Sequence, residues 1–172
     1  MNKAETNLSP PLARRTMFAI GLGITTIVTT IDLATKWYIA EVVMDPPRVI
    51  SITPFFNLGL WFNRGVSFGF LGDLGDRGPV ILSLVAVCVI AFLVLWLWRT
   101  ESRIERVSLS IIIGGAIANV IDRLRDGAVT DFLDFYAGSY HWPAFNLADV
   151  GICTGAGLLI LSSFITRKDR RT

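Results

Sequence analysis

The feature that most restricts the fold is a set of four long stretches without a charged residue. They cover residues 16–31, 78–98, 107–121 and 150–166. The second stretch has 21 residues and is long enough to span a bilayer as one helix. Charged residues make up only 17% of the chain, against roughly 25% in soluble domains. The sequence therefore predicts a single α-helical, polytopic membrane domain over residues 1–172.

The distribution of lysine and arginine predicts its topology. Ten of the sixteen Lys and Arg residues lie in the N-terminal tail, in the hairpin 99–106 and in the C-terminal tail. The positive-inside rule places both termini and this hairpin in the cytoplasm. We place the transmembrane helices at about 16–39, 78–98, 107–123 and 147–166, and the outer loops at 40–77 and 124–146.

A cleavable signal peptide is the competing interpretation of the N-terminus. No clear small-x-small cleavage site follows the first apolar stretch, and the apolar character continues through 37–39. A retained first helix is therefore predicted.

Three of the four stretches are short for a membrane span. With 16, 15 and 17 residues, they reach only about 22–26 Å at 1.5 Å per residue, whereas the hydrocarbon core is about 30 Å thick. Each helix must therefore bring its terminal polar residues to the outer membrane boundary. Those residues are Asp32, Lys36, Asn119, Asp122, Arg123, Asn146 and Asp149.

The polar residues of the first and third helices each have a structural interpretation. Asp32 and Lys36 are four residues apart, so they would form an ion pair that anchors the end of the first helix. Asn119, Asp122 and Arg123 share one helix face, which either pairs with a neighbouring helix or contacts a substrate. The sequence alone leaves that choice open.

The start of the last helix has a structural interpretation too. Asn146 is a suitable N-cap and Asp149 occupies the N3 position, where a carboxylate suits the helix dipole. Small residues on helices three and four predict that the two helices pack closely and bring these polar groups together. They are Gly114, Gly115, Ala118, Gly151 and Gly155.

The first outer loop has the pattern of a small aromatic β-sheet. Strands are predicted at 49–53, 58–62 and 66–70, with a hairpin-like turn at 63–65. Such a sheet either forms the core of the loop or lies on the lipid surface, where amphipathic rings are favoured.

Composition excludes several classes of site. Cys88 and Cys153 both lie in apolar stretches, which argues against a disulfide framework or a thiolate metal site. The single histidine, His141, excludes zinc sites of the HExxH kind. The net charge of +2 is too small to indicate nucleic acid as a partner.

The second outer loop supplies further acids. In 129–136, Asp131 and Asp134 alternate with apolar residues, so the segment is expected at the membrane interface. Either acid would be able to meet Asp149. Two carboxylates a few Å apart share a proton, and such a pair activates water for attack on an amide without a metal or other cofactor.

Five sequence blocks resemble those of the lipoprotein signal peptidase family, the bacterial signal peptidase II enzymes. The similarity covers roughly residues 17–166, in the same order. The blocks are 119–123, 127–132, 145–149, 63–68 and the pair Asp32 and Lys36.

The resemblance implies an aspartyl endopeptidase of the bacterial inner membrane, with its active site toward the periplasm. Its substrate would be a diacylglyceryl-modified prolipoprotein, cut before the lipidated cysteine, and globomycin would inhibit it. We expect it to act as a monomer in contact with membrane lipid.

The resemblance also assigns roles to residues. It matches Asp131 and Asp149 to the catalytic pair, and thereby chooses Asp131 over Asp134. The remaining matches are substrate-binding residues (Asn63, Asn119, Arg123 and Asn146) and supporting polar residues (Asp32, Lys36 and Asp122). The outer sheet is similar to the family's cradle on the membrane surface.

Two other functions are compatible with parts of the sequence. A small transporter or lipid-handling protein would also place acids in the membrane as a proton relay, but inverted repeats and interrupted paired helices are missing. A serine intramembrane protease would depend on His141 alone and lacks a nucleophile motif.

Overall fold

The computed structural model describes residues 11–65 and 77–169. It contains four long helices: α1 (Pro11–Tyr38), α2 (Gly78–Arg99), α3 (Arg103–Asp126) and α4 (Leu147–Asp169). A short π-helix, Ile39–Val43, continues α1. All four long helices are long and apolar enough to cross a membrane, which confirms the predicted polytopic α-helical fold.

Charged residues extend α1 and α3 beyond their predicted starts. α3 begins four residues early, where Ser102 Oγ accepts a hydrogen bond from the Glu105 amide at 3.3 Å as an N-cap. It ends at Gly127, whose φ of 69° suits a left-handed C-cap. α1 likewise begins at Pro11 rather than at residue 16.

α3 is the central helix of the bundle. In its most apolar 18-residue segment 56% of the residues are buried, against 17% in the corresponding segments of the other helices. Leu109 and Ile113 of α3 pack against Leu93 and Leu97 of α2. The polar residues of α3 are therefore positioned between neighbouring helices rather than toward lipid.

Glycines allow α4 to approach α3 closely, as predicted, and they also allow the close approach of α1, which was not predicted. A Cβ atom on Gly114 would lie 2.8 Å from the backbone oxygen of Thr25 in α1. A Cβ on Gly115 would lie 2.6 Å from the backbone oxygen of Ala148 in α4. At the other end of that contact, a Cβ on Gly155 would lie 2.7 Å from the Ser108 oxygen.

The Gly155→Ala substitution should destabilise this contact. The new methyl group would meet backbone, which cannot yield without moving α3 and α4 apart, so a loss of about 1–3 kcal/mol in unfolding free energy is expected. Gly157→Ala is the matched control, because a Cβ there meets nothing within 4 Å. Thermal unfolding in detergent should separate the two variants; equal melting temperatures would contradict the close approach.

One antiparallel sheet joins the two predicted outer loops, at the end of the bundle opposite the hairpin 99–106. Its order is β1 (Ile50–Thr53), β2 (Phe56–Asn63), β3 (Val129–Ala137) and β4 (Tyr140–His141). β1 and β2 confirm two predicted strands. The predicted strand 66–70 lies outside the described residues.

The prediction missed the nine-residue strand β3, which pairs with β2 and makes the sheet a structure of both loops. The alternation of acids and apolar residues in this segment predicts an interfacial position, but it is also the period of a strand. The turn after β2 is present: Asn63 Oδ1 accepts a hydrogen bond from the Gly65 amide at 2.9 Å. Gly65 has a φ of 105°.

A small apolar cluster fixes the sheet to the bundle. Phe132 of β3 is buried with Ile39 and Met44, which follow directly after α1. This contact places β3 beside the ends of α1, α3 and α4 that carry the predicted polar residues.

Candidate active site

The start of α4 has the predicted capping box. The Asp149 amide donates to Asn146 Oδ1 at 3.0 Å, and the Asn146 amide donates to Asp149 Oδ2 at 3.2 Å. Asn146 is fully buried, whereas Asp149 is half-buried. The cap therefore holds one carboxylate in a fixed orientation at the head of the helix.

Two asparagines connect this carboxylate to Asp131 of β3. Asn146 Nδ2 donates to Asp131 Oδ1 at 2.7 Å and to Asn119 Oδ1 at 3.3 Å. Asn119 Nδ2 donates to Asp149 Oδ1 at 2.9 Å. Asn146 and Asp149 therefore both cap α4 and belong to a polar site. α3 contributes Asn119 to this site, and β3 contributes Asp131.

Asp134, the other acid of β3, lies in a different cluster. Its Oδ2 accepts a hydrogen bond from Asn57 Nδ2 at 3.0 Å, and its Oδ1 lies 2.9 Å from His141 Nδ1. This cluster lines a separate cavity of about 400 Å³ between Trp61 and Trp142. The strand register separates the two acids: Asp131 pairs with Trp61 and Asp134 with Asn57, and of the two only Asp131 accepts a hydrogen bond from Asn146.

Burial raises the pKa of Asp131 to about 6. A hydrogen bond from Asn63 opposes this shift, the nearby charge of Asp149 adds to it, and the hydrogen bond from Asn146 opposes it again. Asn63 is thereby placed at the site from the end of β2. A carboxyl group with such a pKa holds a proton more readily than an ordinary aspartate.

This shift makes a prediction about stability and pH. The pKa is raised in the folded state, so the contribution of Asp131 to stability is fully present below its ordinary pKa of 3.8 and is lost as the pH rises through about 6. Relative to Asp131→Asn, the wild type should lose about 2 kcal/mol of unfolding free energy between pH 4 and 7. Chemical unfolding of both proteins in detergent measures this difference; a constant difference across that range would contradict the shift.

A buried cation lies next to this network. Lys36 Nζ is 2.7 Å from Asp32 Oδ2 and 2.9 Å from Asp122 Oδ2, and it donates to Asn119 Oδ1 at 2.8 Å. All four side chains are buried. The Asp32–Lys36 pair is present within α1 as predicted, and Lys36 also pairs with Asp122 of α3, so the cluster connects two helices.

The two acids of this cluster also bind backbone. Asp32 Oδ1 accepts a hydrogen bond from the Ala148 amide at 2.7 Å, at the start of α4. Asp122 Oδ2 accepts one from the Thr130 amide at 3.2 Å, next to Asp131. Asp32, Lys36 and Asp122 therefore fix the elements that carry Asp149 and Asp131.

Arg123 lies at the edge of the site. Its guanidinium is close enough to Asp149 and Asp131 to interact with both charges. Nη1 donates to the Asn119 backbone oxygen at 3.4 Å, while the buried Nε has no hydrogen-bond partner among residues 11–65 and 77–169. An unsatisfied buried donor of this kind calls for a further acceptor.

The described residues contain no group of three or more His, Cys, Asp or Glu side chains that is arranged to hold a metal ion. The chemistry available in this part of the structure is that of two linked carboxyl groups, two amides and a guanidinium.

Comparison with known proteins agrees with the predicted resemblance. The family model described as signal peptidase (SPase) II matches residues 24–165. A lipoprotein signal peptidase of Shewanella halifaxensis is 46% identical over 140 residues, which cover 80% of this chain and 81% of that protein. One from Haemophilus influenzae is 39% identical over 151 residues, with coverages of 87% and 88%.

A solved structure shares the fold. It is a bacterial membrane enzyme determined by the in meso method at 1.9 Å resolution, with a TM-score of 0.70 and 26% identity. The match covers 84% of this chain and 92% of that chain. Together with the family model, which covers most of the sequence, these matches show that the chain belongs to the signal peptidase II family.

Proposed function

We propose that this chain is an aspartyl endopeptidase that cuts diacylglyceryl-modified prolipoproteins before the lipidated cysteine. As a member of the signal peptidase II family, it is a multi-pass membrane protease that removes signal peptides from prolipoproteins. The observation that supports the aspartyl type is the network in which Asn146 contacts both Asp131 and Asp149.

In the proposed mechanism the two acids share one proton and activate one water molecule. Asp131 carries the proton, because its burial raises its pKa to about 6, and it donates a hydrogen bond to the scissile carbonyl oxygen. Asp149 accepts a proton from the water as the water oxygen attacks the carbonyl carbon. When the C–N bond breaks, that proton passes from Asp149 to the leaving amine, while Asp131 keeps its own proton throughout.

The neighbouring amides keep the pair in place during this cycle. Asn146 and Asn119 each donate to one of the two carboxyl groups, so neither group rotates away from the water. This arrangement requires no metal or other cofactor.

Four polar residues are proposed to hold the substrate backbone. They are Asn63, Asn119, Arg123 and Asn146. The support is strongest for Arg123, because its buried Nε lacks an acceptor within the described parts of the chain. Arg123→Ala and Asn63→Ala should each reduce kcat/KM by about 10–100-fold, the loss expected for one or two hydrogen bonds to a bound group. Full activity and unchanged inhibitor affinity in both variants would refute this role.

The position of the acids suits a lipidated substrate. The diacylglyceryl chains must stay in lipid while the peptide bond next to them meets water, so the pair belongs at a membrane boundary. We place that boundary at the periplasmic side of the inner membrane, with both termini in the cytoplasm, since the arginine-rich hairpin lies at the opposite end of the bundle. The chain is proposed to act as a monomer.

The purified protein should be incubated with a lipidated precursor peptide and with the same peptide lacking the lipid, each with and without globomycin. The proposal expects cleavage of the lipidated peptide before its cysteine, little cleavage of the other peptide, and inhibition by globomycin. Proteolysis of both peptides at equal rates would contradict the lipid requirement. Ion or lipid flux without proteolysis would support the transporter alternative instead.

A further inference from the structure

A second cavity lies at the end of the bundle opposite the sheet. Its volume is about 780 Å³, and it is formed by the start of α1, the end of α2 and the start of α3. Neither of the proposed catalytic acids lies there. The arginines that line it are Arg14, Arg15, Arg99, Arg103 and Arg106, whereas the only lining carboxylate within the described parts of the chain is that of Glu101.

Within the described part of the chain, no carboxylate neutralises the positive charge of this cavity by direct pairing. None of the five arginines lies within 4.0 Å of a carboxylate among the side chains described in residues 12–65 and 77–164. Arg14 Nε donates to the Trp98 backbone oxygen at 2.8 Å, with its guanidinium 5.1 Å from the centre of the Trp98 ring. Arg106 is only 7% exposed and donates to the Thr100 backbone oxygen at 3.3 Å.

These contacts orient the guanidinium groups of Arg14 and Arg106 without compensating their charge. Converging cations at the mouth of a cavity with low-dielectric walls create a strong local potential for an anion. The positive-inside rule accounts for arginines on this side of the membrane, but it does not require that they converge on a cavity or that one of them is buried.

The other wall of the cavity is apolar. Met17, Phe18 and Leu97 line it, and these residues belong to helices that are long and apolar enough to cross the membrane. A ligand that fits both walls has an anionic head and a hydrocarbon tail. Basic pockets between transmembrane helices near a membrane surface are suited to phospholipid head groups.

We propose that this cavity binds an anionic phospholipid of the bilayer, with its phosphodiester among the five arginines and its acyl chain against Met17, Phe18 and Leu97. Guanidinium groups donate paired hydrogen bonds to phosphate oxygens, which an ammonium group does not match. The site is independent of the peptidase reaction and binds lipid in the absence of substrate.

The test uses the full chain, purified in a neutral detergent and stripped of lipid. Phosphatidylglycerol and phosphatidylcholine with identical acyl chains are titrated in turn, and binding is followed by native mass spectrometry and by thermal unfolding. Phosphatidylglycerol should bind at least about tenfold more tightly than phosphatidylcholine, since each arginine near a lipid surface contributes on the order of a fivefold change in affinity.

Two variants connect the binding to this cavity. Arg14→Gln/Arg103→Gln should weaken phosphatidylglycerol binding by about 30-fold and phosphatidylcholine binding by less, because phosphatidylcholine carries a choline cation beside the same phosphodiester. Arg106 is retained because it is buried. The matched control is Arg48→Gln, which removes an arginine near the sheet end, where its side chain donates a hydrogen bond to the Val43 backbone oxygen. It should bind phosphatidylglycerol like the wild type.

Three results would overturn the proposal. The first is equal binding of the two lipids. The second is an equal loss of phosphatidylglycerol binding in the double variant and in the Arg48→Gln control, or no loss in either. The third is displacement of the lipid by inorganic phosphate at millimolar concentration, which would identify the cavity as a site for a soluble anion.

Discussion

Lys36→Met is expected to lower the unfolding free energy by about 3–5 kcal/mol, the loss typical of removing one partner from a buried ion pair. The substitution keeps the length of the side chain but leaves Asp32 and Asp122 without the cation that lies 2.7 and 2.9 Å from them. Both acids are almost fully buried, so neither regains hydration easily. Thermal unfolding in detergent measures the loss.

Two controls make this result specific. Arg48→Gln removes a cation outside the cluster and should be close to neutral. Lys36→Met combined with Asp32→Asn removes one of the two stranded charges, so it should recover part of the lost stability. A Lys36→Met protein as stable as the wild type would show that the buried cluster does not hold α1, α3 and the start of α4 together.

The helices and their partners were largely predictable from the sequence. A charge-free stretch as long as 78–98 has few other folds available to it. The glycines of α3 and α4 predict that these two helices pack closely. Because three of the apolar stretches are too short to span the bilayer, the sequence also predicts that their terminal polar residues lie at one depth in the membrane. Each of these predictions depends on a residue pattern within one helix or on small residues along two helix faces.

The pairing of the strands in the sheet was harder to predict from the sequence. β3 pairs with β2 across more than sixty residues of sequence, and local alternation does not identify the partner of a strand. The irregular register between Leu58 and Trp61 decides which acid of β3 faces which neighbour. For this reason the residues alone left Asp131 and Asp134 as alternatives, and only the family resemblance chose between them.

Of the contacts of Lys36, the sequence predicted only the one with Asp32. Its spacing from Asp32 indicated an intrahelical pair, which is present. Its contacts with Asp122 and Asn119 depend on how deeply α1 packs against α3, and that depth follows from Gly114. The sequence gives no indication that His141 contacts Asp134, as it does in the structure.

The largest functional effect is expected at the carboxyl pair. Asp131→Asn and Asp149→Asn should each reduce kcat/KM by at least about 1000-fold, because a positioned acid or base supplies roughly 10²–10⁴-fold and the two groups act as one unit. For the same reason the double variant should be hardly worse than either single variant. An asparagine at position 131 retains an oxygen for the Asn146 hydrogen bond, so Asp131→Asn should still fold.

Asp126→Asn is the control for this pair. Asp126 precedes β3, is exposed and pairs with Arg125, so its loss should leave turnover close to that of the wild type.

The decisive measurement is the rate of signal-peptide release from a purified lipidated precursor by the wild type, Asp131→Asn, Asp149→Asn and Asp126→Asn, each first shown by thermal unfolding to be folded. The proposed mechanism predicts release by the wild type and by Asp126→Asn, and none above background by the two other variants. Release at the wild-type rate by folded Asp131→Asn or Asp149→Asn would contradict an aspartyl mechanism built on this pair.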